Sequence, residues 1–294
     1  MSPPIVNLMT VDVEDYFHVS AFDAVVARER WGACESRVEA NTERLLGLFE
    51  AARVRGTFFV LGWVAERFPG IVRQIARAGH EVASHGYSHR LVYRMSAADF
   101  REDVRRAKGL IESHAGLPVL GYRAPSFSIT TKSLWALDVL IEEGYQYDAS
   151  IFPIHHDRYG IPGAPRHLWR AERPAGEIWE LPGSTVRVAG TNMPIGGGGY
   201  FRFFPYSWIR SGMRRINQSE RKPVVFFIHP WEIDPDQPRL PGSAASRFRH
   251  YRNLHKTEGR LRQLLRDFRF APVCSFLSPL TISSRMPSCL AQVV

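Results

Sequence analysis

Cysteine is scarce in this chain, and long apolar runs are missing from it. Three cysteines occur among 294 residues; Cys34, Cys274 and Cys289 stand far apart and form no Cys-x-x-Cys pair. This pattern argues against a disulfide framework or a thiolate zinc site and favours a reducing compartment. No apolar stretch approaches the roughly 20 residues of a membrane-spanning helix, and no signal-peptide pattern is seen. We therefore expect a cytoplasmic protein with no transmembrane segment.

Negative charge is also in short supply. The chain has 38 lysines and arginines against 29 acidic residues, a net charge of +9, and much of the excess lies in 247–269. Such a run attracts an acidic lipid headgroup or an anionic glycan, or it forms a solvated helix face. The usual nucleic-acid-binding motifs are missing. We expect no nucleic-acid partner, whereas peripheral contact with a membrane or with glycan-export machinery stays open.

Short apolar runs alternate with amphipathic segments in the first half. The predicted strands are 5–11, 57–60, 80–84 and 119–122, and the predicted helices start near Asn41-Thr42, Val64, Ser96 and Leu134. This alternation favours a parallel sheet or a βα barrel. We expect one domain over 1–280 and a flexible tail over 281–294.

The segment 152–213 is different in composition. It contains seven prolines and the glycine run 196–199, which predict a long irregular insertion. Regularity returns with a buried strand at 224–228. A helix near 257–268 and a last strand near 272–276 complete the prediction.

Three acidic residues follow the first predicted strand, in Asp12-Val13-Glu14-Asp15. Crowded carboxylates repel one another, so the cluster points to a bound cation or a catalytic role, or else to a solvated loop. His85 and His89 follow a later strand, four residues apart. A pair of this kind alone is weak, since the chain has 11 histidines. Beside the acids it predicts a site of two histidines and one carboxylate, which suits Zn²⁺, Fe²⁺ or Co²⁺.

Two further clusters also follow predicted strands. Arg123 lies in Gly121-Tyr122-Arg123-Ala124-Pro125-Ser126-Phe127 and could pair with an acid, although a surface turn would explain it too. His229 begins His229-Pro230-Trp231-Glu232 at the end of a buried strand, where βα folds place catalytic groups. Four clusters at strand ends are hard to attribute to coincidence.

These four segments, in this order, resemble the NodB-homology polysaccharide deacetylases of carbohydrate esterase family 4. The runs 10–18, 199–202 and 229–232 further resemble the subgroup associated with exosortase (PEP-CTERM) exopolysaccharide loci. The resemblance implies a distorted (β/α)7 barrel that binds a divalent metal, usually zinc. It also implies roles for named residues: Asp12 as general base, His85 and His89 as metal ligands, Arg123 holding Asp12, His229 as general acid, and the backbone N–H of Phe127 as oxyanion donor.

The chain departs from the family pattern at two places. The usual pair of adjacent aspartates is interrupted by Val13, so that Glu14 is favoured as the acidic metal ligand and Asp15 is the alternative. The fourth motif, at Tyr147-Asp148-Ala149-Ser150, lacks the usual tryptophan. Trp231 and Trp169 are the candidates for that hydrophobic wall.

The resemblance implies a hydrolase that removes N- or O-acetyl groups from a polysaccharide or a lipid-linked exopolysaccharide precursor. Tyr200, Phe201 and Phe203 could stack on sugar rings of this acetylated glycan, or they could pack the insertion onto the barrel. Two other functions stay open: a metal-independent amidohydrolase of the allantoinase-like type, and a glycan-binding protein without catalysis.

Overall fold

The computed structural model describes residues 4–281. Within them the strands are β1 (Val6–Val13), β2 (Thr57–Val60), β3 (Glu81–Ser84), β4 (Gly121–Tyr122), β5 (Tyr147–Asp148), β6 (Trp169–Arg173), β7 (Gly176–Glu180), β8 (Thr185–Val188), β9 (Thr191–Pro194), β10 (Val225–Ile228) and β11 (Arg269–Ala271). The α-helices are α1 (Val38–Ala51), α2 (Gly62–Arg67), α3 (Pro69–Arg77), α4 (Ala97–Ala115), α5 (Trp135–Glu142), α6 (Gly198–Phe203), α7 (Tyr206–Arg215), α8 (Ala244–Tyr251), α9 (Leu254–Asp267) and α10 (Val273–Thr281).

Most strands form one sheet in the order β10-β1-β2-β3-β4-β5-β7-β6, with β11 beside the start of β1. All neighbours along it are parallel except β6, which pairs antiparallel with β7. Strands β2 and β10 are buried at every residue, because helices pack against the sheet. The predicted α/β fold with a parallel sheet is confirmed.

The sheet curves back toward itself at its two ends. The chain that leaves β7 comes alongside β10, where the Phe227 N–H donates to the Gly196 carbonyl at 2.7 Å and the Val225 N–H donates to Ser184 Oγ at 2.8 Å. Gly197 has φ 121° and packs so closely that a Cβ there would collide with the Phe227 carbonyl oxygen. Only glycine fits this approach.

The segment 152–213 is more regular than the sequence predicted. It contains β6 to β9, α6 and most of α7, and β7 joins the main sheet beside β5. The strand predicted near 272–276 is wrong. β11 ends before Pro272, which has no N–H to donate to a sheet, and α10 follows. Of the predicted tail, 282–294 lie outside the described residues.

The helix starts also differ in detail. The helix predicted to start near Asn41-Thr42 begins at Val38, and the one predicted from Val64 is divided at Pro69 into α2 and α3. Ser96 caps α4 as predicted, because its hydroxyl accepts the Asp99 N–H. No helix in the described part of the chain is long and apolar enough to cross a membrane.

Candidate metal centre and active site

The four motifs meet at the carboxyl edge of the parallel sheet. Asp12 and Glu14 lie at the end of β1, and His85, Arg123 and His229 directly follow β3, β4 and β10. Because parallel strands end at the same edge, motifs far apart in sequence come together there.

Three of these side chains form a group suited to a metal ion. One ligand atom each from Glu14, His85 and His89 lies within 4.8 Å of the others, and all three residues are at most 3% exposed. Glu14 Oε2 lies 2.6 Å from His89 Nε2 and 3.9 Å from His85 Nε2. Even so, Glu14 Oε2 and His89 Nδ1 have no hydrogen-bond partner among the described residues. Buried polar atoms need partners, and one carboxylate with two imidazoles is a donor set that fits a divalent ion.

The histidine pair is brought together by a pinned loop, not by a helical turn. His89 has φ 50°, and the N–H groups of Tyr87 and Ser88 donate to the Asp103 carboxylate at 2.6 and 3.0 Å. His85 Nδ1 lies 2.8 Å from the Arg123 carbonyl oxygen, so that Nε2 faces the metal group. A backbone acceptor behind a metal-ligating histidine fixes its tautomer and orientation.

The titration of this group follows from its burial. Burial alone would raise the pKa of Glu14, but the nearby charge of His89, with the charges of His229 and His85, holds it below its usual value. Burial lowers the pKa of His85 to about 4. A carboxylate beside a neutral imidazole is the form in which these groups bind metal.

Asp15 does not join the metal group. Its Oδ2 accepts the Ser36 hydroxyl at 2.7 Å and the N–H groups of Arg37 and Val38 at 2.8 and 3.1 Å, and its Oδ1 accepts the Tyr16 N–H at 3.0 Å. Burial nevertheless raises its pKa to about 6. The alternative that made Asp15 the metal ligand is therefore corrected: its carboxylate caps helix α1.

Asp12 is held by a buried arginine. Arg123 NH1 donates to Asp12 Oδ1 at 2.7 Å and to Thr10 Oγ1 at 2.8 Å, and its Nε donates to the Ala149 carbonyl at 3.2 Å. The guanidinium is 1% exposed, so a strong charge-assisted pair fixes one oxygen of Asp12. The other oxygen, Oδ2, faces His229 Nε2 at 3.8 Å.

His229 faces the site, and the Glu232 carboxylate lies behind its imidazole. Its Nδ1 lies 2.7 Å from Glu232 Oε1, and its Nε2 lies 3.7 Å from Glu14 Oε1. Burial alone would lower the pKa of His229, but the hydrogen bond and charge of Glu232, with the charges of Glu14 and Asp12, raise it to about 9. The imidazole is thus protonated near neutral pH and able to donate a proton.

Arg202 is a buried member of the site that sequence reasoning did not assign a role. Its Nε donates to Glu232 Oε2 at 2.6 Å, and its NH1 donates to the carbonyls of Arg249 and His250 at 3.1 and 2.5 Å. It therefore connects the partner of His229 to the end of α8. The only signal in the sequence was its place in the 199–202 motif.

Trp231 forms a wall beside the metal group. Its Nε1 donates to Glu14 Oε1 at 3.3 Å, and its ring stacks between His229 and His250, with centroids 5.1 and 4.2 Å away. Trp169 opens β6, off this pocket. Of the two candidates for the hydrophobic wall, Trp231 is the one that lies at the site.

A pocket of about 430 Å³ contains Asp12, the metal group and His229. Tyr200 lines this pocket, and its hydroxyl lies 2.8 Å from that of Tyr159. Phe201 is fully buried against Phe226, so it belongs to the core and cannot stack on a sugar.

The backbone N–H of Phe127 already donates a hydrogen bond within the protein. Its N–H donates to the Ala124 carbonyl at 3.1 Å inside a tight turn in which Ser126 and Phe127 both have φ 52°. The expectation that this N–H is a free oxyanion donor is therefore not met. The Phe127 ring does line the pocket, where it packs on Phe152 and Phe227.

The sequence matches two families. Residues 20–147 match the family described as polysaccharide deacetylase, and residues 149–278 match a domain of unknown function, DUF3473. The first range contains His85, His89 and Arg123. His229 lies in the second range, so both matched ranges contribute residues to the same site.

Two relatives carry the name of peptidoglycan deacetylases. One from Helicobacter pylori is 35% identical over 121 residues, which are 40% of this chain and 39% of that protein. A peptidoglycan-N-acetylglucosamine deacetylase from Bacillus cereus is 32% identical over 98 residues, 33% of this chain and 36% of that protein. The chain thus spans about two fifths of the length of these relatives.

Solved structures share the fold over nearly the whole chain. One from Mycobacterium smegmatis that carries a polysaccharide deacetylase name has a TM-score of 0.59 at 22% identity, covering 98% of this chain and 95% of that one. An allantoinase also has a TM-score of 0.59, at 14% identity over 95% of this chain and 91% of that one. The fold therefore does not separate the two activities. Residues 20–147, less than half of the chain, are similar to the polysaccharide deacetylase family.

Proposed function

We propose that this protein hydrolyses acetyl groups, in the first place N-acetyl groups, on a glycan with the help of a divalent metal. The observation that carries the proposal is the convergence in one pocket of three side chains that could hold a metal ion, the Asp12 carboxylate, and the His229 imidazole with Glu232 behind it. Glu14, His85 and His89 would hold the ion, for which we propose Zn²⁺, with Co²⁺ or Fe²⁺ as alternatives.

Held by Glu14, His85 and His89, a divalent ion would supply Lewis acidity toward an acetyl carbonyl and a water molecule. Asp12 is placed to accept the proton of that water, because Arg123 holds Oδ1 and leaves Oδ2 facing the pocket. His229 is placed to protonate the departing amine or hydroxyl, since Glu232 keeps it charged near neutral pH. Trp231 keeps Glu14 in position by donating to Oε1.

The unpartnered atoms of Glu14 and His89 favour this reading over a metal-independent amidohydrolase of the allantoinase-like type. Such an enzyme would have no use for two buried histidines that face a carboxylate. A glycan-binding protein without catalysis would equally have no use for the pairs Asp12–Arg123 and His229–Glu232.

For the substrate we propose an exopolysaccharide or its lipid-linked precursor. This rests on the resemblance of runs 10–18, 199–202 and 229–232 to the exosortase-associated subgroup. Tyr200 and Phe203, which both line the pocket, are placed to contact a sugar ring. A cytoplasmic location stays a prediction from the cysteine pattern, which cell fractionation would test.

The test is acetate release from a panel of N-acetylated and O-acetylated glycans, with metal-stripped protein before and after addition of Zn²⁺ or Co²⁺. Activity should appear only after metal is restored. Asp12→Asn should lose it, whereas the exposed control Asp236→Asn should keep it. Turnover by stripped protein, or full turnover by Asp12→Asn, would overturn the proposal.

A further inference from the structure

Two buried carboxyl groups lie side by side outside the catalytic pocket. Asp148 at the end of β5 and Glu180 at the end of β7 are paired across these parallel strands, and each is 0% exposed. The two side chains are within hydrogen-bonding reach of each other. The charge of the Arg123 guanidinium reaches Glu180, but the guanidinium forms its ion pair with Asp12.

Hydrogen bonds show how the two carboxyl groups divide their charge. Ionised carboxylates in contact away from water repel each other strongly, so one of the two keeps a proton. Asp148 accepts the Ser150 hydroxyl at 2.5 Å and the Ser150 N–H at 3.2 Å, and both bonds favour its ionised form. Glu180 Oε1 accepts the Ile151 N–H at 3.0 Å, while its Oε2 has no other hydrogen-bond partner among the described residues. Oε2 is therefore the atom that carries the proton and donates it to Asp148.

The surrounding groups agree with this assignment. Burial, with the charge and the hydrogen bond of Asp148, raises the pKa of Glu180 well above its ordinary value, although the charge of Arg123 opposes this. Tyr122 also interacts with Asp148, and burial keeps its hydroxyl protonated by raising its pKa.

The turn after β5 connects the pair to the catalytic residues. The Ser150 hydroxyl, which donates to the pair, accepts the Ala124 N–H at 2.7 Å. The Ala149 carbonyl accepts the Nε–H of Arg123 at 3.2 Å, and Arg123 in turn holds Asp12. A shift of this turn would therefore be passed to Arg123 and from there to Asp12.

We propose that Asp148 and Glu180 share one proton and act together as positioning residues for Arg123. By accepting two successive N–H groups, the pair fixes the turn whose carbonyl and hydroxyl hold the third motif. Neither acid lines the pocket, so both act through other residues. The effect on catalysis rests on the proposed function, because it reaches the reaction through Asp12, whereas the shared proton does not depend on it.

The first experiment compares two substitutions of Glu180 by acetate release. Glu180→Gln keeps a neutral donor for Asp148 and an acceptor for the Ile151 N–H, so its kcat should stay within about twofold of the unchanged chain. Glu180→Ala removes both and should lower kcat roughly 10–100-fold with KM and bound zinc little changed, because a misplaced catalytic group costs about this much. Glu177→Ala, at an exposed position of the same strand, is the matched control and should keep full kcat. If Glu180→Ala does not fold, Glu180→Asp, whose side chain is one methylene shorter, takes its place.

A second arm detects the proton without any activity. Infrared difference spectra at about pH 7 should show a protonated carboxyl group in the unchanged chain and in Glu177→Ala that is missing from Glu180→Gln. The unfolded chain releases this proton near the ordinary glutamate pKa of about 4.3, while the folded chain keeps it. The unfolding free energy of the unchanged chain, measured with a chelator present, should therefore fall relative to that of Glu180→Gln as the pH rises from about 5 to 7.

The two arms separate this proposal from the proposed function. If no metal-loaded protein releases acetate, the unchanged chain included, the proposed function fails and the second arm alone decides whether the proton is shared. The proposal is overturned if Glu180→Gln retains the full protonated-carboxyl signal, if Glu180→Gln and Glu180→Ala lose kcat equally, or if Glu180→Ala keeps the kcat of the unchanged chain.

Discussion

At the scale of single residues, the His229 imidazole lies between carboxylates with different tasks. Glu232 contacts Nδ1, while Asp12 and Glu14 face Nε2 from 3.8 and 3.7 Å. Arg202 in turn holds the second oxygen of Glu232, and together with His229 it keeps the pKa of that carboxyl, which burial alone would raise, at about 2. The proton of His229 thus depends on a residue that does not touch substrate.

Glu232→Gln should lower kcat by roughly 10–100-fold, the usual effect of losing a group that orients a catalytic side chain. KM should change little, because Glu232 is fully buried behind His229. Steady-state kinetics on an acetylated chitooligosaccharide would measure both. Glu177→Gln, on an exposed strand residue, is the control, and an unchanged kcat in Glu232→Gln would remove the positioning role.

His80 gives a pH-dependent contribution to stability that is remote from the metal group. It is buried and accepts the Gly56 N–H at Nδ1, and burial lowers its pKa to about 4. The unfolded chain binds this proton near its ordinary pKa of about 6.5. The contribution is therefore complete above pH 6.5 and is lost as the pH falls toward 4.

Between pH 7.5 and 5, the unchanged chain should lose roughly 1–2 kcal/mol more unfolding free energy than His80→Gln. Denaturant unfolding with a chelator present in every sample would measure this difference without a contribution from metal. Equal losses in both proteins would show that His80 does not titrate as its burial indicates.

At the scale of secondary-structure elements, helix α1 starts where a distant acid accepts its N–H groups. Asp15 is more than 20 residues before Val38, so the start of the helix could not be predicted from a local capping residue. The sequence did contain a signal that favours Glu14 over Asp15 as the metal ligand. Alternate residues of a strand point to one side, so Glu14 shares the side of Asp12 and Asp15 does not.

Asp15→Ala should lower the unfolding free energy by about 2–3 kcal/mol, because it leaves the Ser36 hydroxyl and three N–H groups without their acceptor. Its zinc content should not change. Thermal unfolding and metal analysis of the same sample would check both results. Loss of zinc with unchanged stability would indicate that Asp15 is a metal ligand after all.

At the scale of the whole molecule, the sequence predicted the parallel sheet and the four motifs at its edge. Strand periodicity and motif order are local signals, and the fold brings the motifs together because parallel strands end side by side. The return of the chain to β10 through Gly197 and the reach of Arg202 to Glu232 depend on contacts between distant residues. The local sequence of 152–213 contains no pattern that predicts these long-range contacts. The segment was therefore predicted to be irregular.

The account depends most on the proposed metal ion, which Glu14 just after β1 and two histidines after β3 would hold. Bound zinc should therefore be measured in dialysed protein by elemental analysis. We expect one zinc per chain in the unchanged protein and in Asp15→Asn, and none in Glu14→Gln or His85→Ala. Zinc retained at full occupancy by Glu14→Gln and His85→Ala would contradict the account.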